Sequence, residues 1–189
     1  MLNKEAKLFV ISAPSGTGKS TLIAEVMRLI PTLKKTISYT TRPPRGDEKN
    51  SVDYNFVSVD EFKQLEKQGK FIETATVYGN LYGTSLETIK TSLSGGQFLI
   101  KDIDTQGALN LKKILKDRAV LIFVKPPTFM ELEKRLRDRC TDSDAIIKSR
   151  LENAVKEIKE SVKYDHVIVN DSLEHTVGEF KDIINGYIK

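Results

Sequence analysis

The chain has 189 residues, with 30 Lys+Arg against 26 Asp+Glu, 39% hydrophobic residues and one cysteine, a length suited to a single globular domain with small inserted lobes and a composition that excludes a disordered chain. The net charge of +4 gives a mild positive field that favours phosphate-bearing ligands, without the concentrated basic block of a dedicated nucleic-acid binder. Cys140 has no partner for an internal disulfide, and with only His166 and His175 beside it the chain lacks the makings of a structural metal cluster.

The first residues, Met1 to Lys7, are charged and pass straight into Leu8-Phe9-Val10-Ile11, too brief for a signal-peptide core, so no targeting segment is expected and the cytoplasm is the expected compartment. The longest apolar run, Ala119 to Val124, falls far short of the roughly 20 residues a membrane span needs. Leu8 to Ser12 reads as a buried parallel strand. It feeds into Gly16 and Gly18 and then a helix, on which Leu22, Ile23, Val26, Leu29 and Ile30 recur at helical spacing until Pro31. Between strand and helix, Ala13-Pro14-Ser15-Gly16-Thr17-Gly18-Lys19-Ser20 follows the phosphate-loop pattern GxxxxGK[ST] at every position but the first. Such glycines let backbone N–H groups turn inward around phosphate oxygens, while the helix offers its positive end. Lys19 then suits the β- and γ-phosphates, and the Ser20 hydroxyl suits Mg²⁺. Ala13 is tolerated at the first position if its φ is negative.

From about Thr36 to Leu93 the texture changes to that of an inserted, partly β lobe, with Tyr39, Tyr54, Tyr78 and Tyr82 among prolines and glycines. Val52 to Val57 and Phe71 to Val77 have strand composition, and Ser58-Val59-Asp60-Glu61 opens a helix running to about Gln68, stopped by Gly69. Arg42 and Arg45 flank the rigid Pro43-Pro44, so two guanidinium forks sit on a stiff segment suited to a second phosphate group. Taken alone they would serve equally as surface arginines.

Apolar strands follow at Phe98 to Ile100, Ala119 to Val124 and His166 to Val169, separated by helical stretches, which argues for an α/β fold with a parallel sheet covered on both faces. Asp102 and Asp104 stand at the end of one of them. Lys101 occupies a position that usually carries an apolar residue, so either its head snorkels to water or the strand ends a residue early. Pro126 to about Lys159 holds two helical patterns broken at Thr141-Asp142-Ser143. Its 8 basic and 8 acidic residues between Pro127 and Glu160 hide an arginine cluster that charge alone would read as a solvated helix face.

Taken together, Ser12 to Thr21, Ser38 to Gly46, Asp53 to Val57, Phe71-Ile72-Glu73, Tyr82-Gly83-Thr84, Asp102 to Gly107 and Val167 to Asp171 resemble guanylate kinase in its bacterial form, over essentially the whole chain. The resemblance implies an α/β, three-layer P-loop NTPase core from residues 1–35, 94–126 and 160–189. It also implies an inserted GMP-binding lobe at 36–93 and a helical lid at 127–159. The implied reaction is Mg²⁺-dependent transfer of the γ-phosphoryl group of ATP to GMP, and to dGMP, for purine nucleotide metabolism. ATP and GMP would be its small-molecule partners, with no nucleic acid, membrane or obligate protein partner expected.

By the same resemblance Ala13, Pro14, Ser15, Gly16, Thr17, Gly18, Lys19, Ser20, Thr21 and Asn170 would bind ATP. Ser38, Arg42, Arg45, Tyr54 and Tyr82 would hold the GMP phosphate, and Glu73, Thr84 and Asp104 would read its base. Lys19, Arg42, Arg135, Arg139 and Arg150 would neutralise the transferring phosphoryl group, and Ser20 with Asp102 would hold the metal. Guanine presents N1–H and N2–H donors to those carboxylates, where adenine presents a bare N1. Arg137, Cys140, His166 and His175 receive no role. Two other readings remain: a non-catalytic binding module similar to guanylate kinase, which would usually have a damaged phosphate loop, and a kinase of the same shape for another phosphorylated acceptor.

Overall fold

The computed structural model describes residues 5–77, 79–138 and 143–188. Two sheets divide the molecule. The core sheet collects β1 (Leu8–Ser12), β2 (Lys34–Lys35), β7 (Leu99–Asp102), β8 (Ala119–Lys125) and β9 (His166–Val169) in the order β2-β7-β1-β8-β9, with every pairing parallel. All five residues of β1 are buried, as expected of a central strand with a layer packed on each face. On one face Phe9, Ile11, Val120 and Ile122 pack against Leu22, Ile23 and Val26 of α1 (Lys19–Leu29) and Val177, Phe180 and Ile184 of α7 (Leu173–Ile188). On the other, Leu8, Val10, Leu121 and Phe123 meet Ile89 and Leu93 of α3 (Leu86–Ser94) and Ala108 and Leu111 of α4 (Thr105–Leu115).

The second sheet is mixed and runs β4-β3-β6-β5, from β3 (Ser38–Thr40), β4 (Tyr54–Phe56), β5 (Phe71–Val77) and β6 (Asn80–Ser85). The helix expected after Ser58 is α2 (Val59–Lys67). Ser58 Oγ accepts the Glu61 N–H at 3.1 Å, and Gly69 takes φ 66° just beyond the end. Phe62 of α2 stacks on Phe71, at a centroid distance of 4.7 Å, and so binds the helix to β5. Two further helices, α5 (Phe129–Arg137) and α6 (Asp144–Glu160), pack through Leu132, Leu136, Ile147 and Ala154.

The structure corrects the sequence reading in two places. The strand expected over Val52 to Val57 shrinks to Tyr54–Phe56, because Asp53 Oδ2 caps a turn by accepting the Lys49 N–H at 2.8 Å and Ser51 adopts φ 61°. The strand expected at Phe98 to Ile100 begins and ends later, at Leu99–Asp102, and Lys101 neither snorkels nor terminates it. That side chain is only 2% exposed.

Candidate functional site

The carboxyl ends of the core strands open into a cleft of about 430 Å³, where ligands of open parallel sheets are expected to bind. Its floor is the segment from Ala13 to Thr21, the loop after β1 together with the first turn of α1, and its opposite wall carries Ser38, Tyr54, Glu73 and Tyr82 from the mixed sheet. Lys101, Asp102 and Asp104 lie between them, and Glu157 of α6 closes one side.

The loop is shaped for close backbone approach. Gly16 and Gly18 adopt φ values of 94° and 91°, which L side chains rarely take. A Cβ on Gly18 would also stand 2.8 Å from Asn170 Nδ2. Among the described residues only Ser51 and Lys116 combine a side chain with positive φ, so Ala13 meets the condition on which its methyl group is tolerated. Gly18 is the N-cap of α1 and brings no side-chain acceptor to it, whereas Ser58, Ser85, Asp104 and Thr128 cap α2, α3, α4 and α5 through their side chains. The first turn of α1 therefore keeps backbone donors for an anion. Lys19 and Ser20 lead that helix and line the cleft.

Asn170 is buried at the end of β9, where its Nδ2 donates to the Thr17 carbonyl oxygen at 2.6 Å. It braces the loop from behind. Arg150, on α6, reaches the loop as well, with Nη1 3.1 Å from Ser15 Oγ. Arg135 donates through Nε to Glu131 at 3.0 Å and through Nη2 to the Asn170 carbonyl at 3.5 Å. Arg139 lies outside the described residues.

On the opposite wall, Glu73 of β5 is 8% exposed. Its Oε1 accepts the Thr84 hydroxyl from β6, while Oε2 is buried without a partner among the described residues. Burial raises the Glu73 carboxyl, opposed by the Thr84 hydrogen bond and Lys101 and reinforced by Asp104. Gly107 makes this position available: a Cβ there would fall 3.2 Å from Glu73 Oε2 and 2.4 Å from Ile103 Cδ1. Asp104 lines the cleft beside them and also caps α4, its Oδ1 accepting the Gly107 N–H at 3.0 Å. Asp102 feels burial, which would raise its pKa, but Lys19, Lys35 and Lys101 outweigh it and hold the carboxyl below the usual range. Lys101 donates from Nζ to Ser38 Oγ at 2.5 Å.

Tyr54 and Tyr82 meet edge to face at 6.1 Å, and burial pushes the Tyr54 phenol up to about 12, so Tyr54 enters as a neutral hydroxyl near pH 7. The guanidinium of Arg42 sits over the Tyr54 ring at 5.3 Å, and its Nη2 donates to both carboxylate oxygens of Glu48 at 2.9 Å. Burial opposes the Arg42 charge, but Glu48 and Tyr82 outweigh it and raise its basicity. Arg45 is exposed, with its backbone N–H on Glu48 Oε2 at 2.8 Å. Neither arginine lines the cleft. Thus the cleft gathers the loop, Ser38, Tyr54, Glu73, Tyr82, Asp102 and Asp104, with Thr84 behind Glu73. Glu48 holds the Arg42 guanidinium to one side and takes only the backbone N–H of Arg45.

Sequence reasoning missed the contact of Glu48 with Arg42, the place of Glu157 in the cleft wall and that of Lys101 beside Ser38. Only the last left a signal, a charge where the strand pattern called for an apolar residue.

The guanylate kinase family model matches residues 5–187. Guanylate kinase of Syntrophotalea carbinolica is 48% identical over 183 residues, covering 97% of this chain and 87% of that protein. The Geobacter metallireducens guanylate kinase is 45% identical, covering 97% and 90%. A crystal structure of guanylate kinase from Anaplasma phagocytophilum superposes with a TM-score of 0.79 at 32% identity, covering 98% of this chain and 88% of that one. Shikimate kinase from Bacteroides thetaiotaomicron superposes at a TM-score of 0.51 and 11% identity, covering 95% and 98%, a likeness of fold alone.

Proposed function

The chain belongs to the guanylate kinase family, and on that premise we propose how its cleft carries out the reaction. The enzyme transfers a phosphoryl group from ATP to GMP, giving ADP and GDP. ATP is assigned to Ala13 through Thr21, with Asn170 bracing the loop. GMP is assigned to the opposite wall, its phosphate toward Ser38, Arg42, Arg45, Tyr54 and Tyr82 and its base toward Glu73, Thr84 and Asp104.

The observation that carries this assignment is the buried, unpartnered Oε2 of Glu73. A buried acceptor without a partner is costly, and the N1–H and N2–H groups of guanine would satisfy it. Adenine would leave acceptor facing acceptor, at about 1 to 3 kcal/mol per unpaired group, or roughly 10- to 100-fold per contact.

Magnesium is the ion we assign to the donor side. Hard cations take oxygen ligands, and the Ser20 hydroxyl and the ionised Asp102 line the same cleft. Among the described residues no group of three or more His, Cys, Asp and Glu is placed to hold a metal, which suits an ion carried mainly by substrate phosphates and water. Once bound, it would screen phosphate charge.

The protein's own residues do the rest by alignment and electrostatics, since the GMP phosphate is already an anionic nucleophile and needs no general base. Lys19 neutralises the donor phosphates, and the backbone donors behind it hold them. Arg135, Arg139 and Arg150 belong to a lid at 127–159, and Arg150 already touches Ser15. Closing that lid and the lobe at 36–93 over the core excludes the water that would otherwise hydrolyse ATP. With ATP as donor and a single cysteine in the chain, we assign the reaction to the cytoplasm. A coupled assay with ATP and a panel of GMP, dGMP, AMP, UMP and dTMP tests the reading: turnover confined to the two guanine nucleotides supports it, and equal turnover of AMP overturns it.

A further inference from the structure

We propose that Lys101 is a further cation of the acceptor-phosphate site, entering from the core sheet where Arg42 and Arg45 enter from the lobe. The inference rests on the assignment of GMP to the wall opposite the loop.

Three observations carry it. The first is location. Lys101 is 2% exposed, on a strand whose preceding residues Leu99 and Ile100 belong to the two hydrophobic layers, and yet it lines the cleft. A lysine buried there costs the fold stability that an apolar side chain would not, and the cleft is the one face on which its charge has a use.

The second is its partner. Among the described residues Lys101 makes no ion pair within 4.0 Å, and its one hydrogen bond goes to a neutral hydroxyl, Ser38 Oγ at 2.5 Å. Burial lowers the pKa of this amine, with Lys35 and Lys19 adding to the shift and Glu73 and Asp102 opposing it, and in its charged form an ammonium has three donors. Moreover, a hydroxyl that accepts from an ammonium keeps its own hydrogen to donate, so Lys101 orients Ser38 as a donor toward an anion in the cleft. Lysine and serine together form a small anion-binding pair built from two different sheets.

The third is the balance of charge. The ionisable side chains lining the cleft are Lys19 and Lys101 against Glu73, Asp102, Asp104 and Glu157, the last pushed up to about 7 by burial and so only partly charged. Lys19 stands at the donor loop. On the acceptor side, carboxylates dominate while Arg42 is held by Glu48 and Arg45 is exposed. Without Lys101 a phosphate dianion would approach a wall of net negative charge.

The test is equilibrium binding of GMP and of guanosine, which lacks the phosphate, to the full-length wild-type protein and to Lys101→Met, by calorimetry at fixed pH and salt. The expected result is a GMP affinity weakened about 10- to 100-fold with guanosine affinity changed less than about twofold. Steady-state assays should show the KM for GMP rising in step and that for ATP nearly unmoved. Equal weakening of GMP and guanosine would overturn the proposal and reduce Lys101 to a counter-charge for Glu73; unaltered GMP affinity would overturn it too. Lys101→Gln, which keeps a donor without the charge, gives the same readout should the methionine variant not fold. A wild-type protein that bound guanosine as tightly as GMP would instead refute the placement of the phosphate on this wall, an outcome visible before any substitution is made.

Discussion

The floor of the cleft, which we assign to the donor, comes from one uninterrupted segment, Ala13 to Thr21, whereas the wall we assign to the acceptor draws Ser38, Tyr54, Glu73, Tyr82 and Lys101 from separate strands of two sheets. On our assignment the floor would bind mostly through backbone, so its requirements are conformational: positive φ at Gly16 and Gly18, an uncapped helix start and a brace from Asn170. The wall would bind through side chains, and its requirements are of burial and pairing. Consequently the floor should fail all at once when its cation is removed, while the wall should degrade by degrees as neighbours of its reading groups are changed.

The largest effect is therefore expected at the floor. Lys19→Ala should lower kcat by about 1,000-fold or more, with an unfolding midpoint close to wild type, since Lys19 lies at the cleft surface; stopped-assay turnover and thermal melts check both. Near-normal turnover would break the comparison at its stronger side.

On the wall, Gly107→Ala should raise the KM for GMP about 5- to 10-fold by pressing on Glu73 Oε2, with the KM for ATP unchanged. Alanine favours a helix over glycine by about 1 kcal/mol, so the melting point should move little as Ile103 gives way. Glu48→Gln should act more gently. Losing the charge that holds the Arg42 fork should raise the KM for GMP about 3- to 5-fold, again leaving ATP alone.

The smallest effect concerns stability. Burial pushes the Glu157 carboxyl up to about 7 from an ordinary 4.5, with Asp104 adding and Lys19 opposing. The folded state therefore holds this proton more tightly than the unfolded one, and the stability it contributes is complete below about pH 4.5 and lost as pH rises through about 7. Glu157→Gln should accordingly stabilise the protein by about 1 kcal/mol at pH 8, discounted because the side chain reaches water, and by nearly nothing at pH 4.5. Denaturant melts at the two pH values measure the difference.

This contrast also explains what the sequence discloses. Leu8–Ser12, Phe71–Val77 and His166–Val169 are read to the residue from composition alone, because each is a run of strand-forming side chains bounded by turn residues. The loop is legible for the same reason: its parts are contiguous. By contrast β2 is two exposed lysines, Lys34–Lys35, with no hydrophobic pattern, and exists only because it pairs with β7. Strand β6, Asn80–Ser85, is similarly formed by its neighbours β3 and β5. Family resemblance supplies Glu73 and Thr84, but the hydrogen bond between them and the empty valence at Oε2 are products of tertiary burial. Glu48 is invisible locally as well, being one acid in a polar loop until the fold turns it onto Arg42.

The most direct measurement of the account is the ratio of kcat/KM for GMP to that for AMP, with ATP as donor, in the wild-type enzyme and in Glu73→Gln. If the buried carboxylate reads guanine, the ratio in the wild type should fall about 100-fold or more in the variant, with the KM for ATP scarcely altered. A variant that kept the wild-type preference would contradict it.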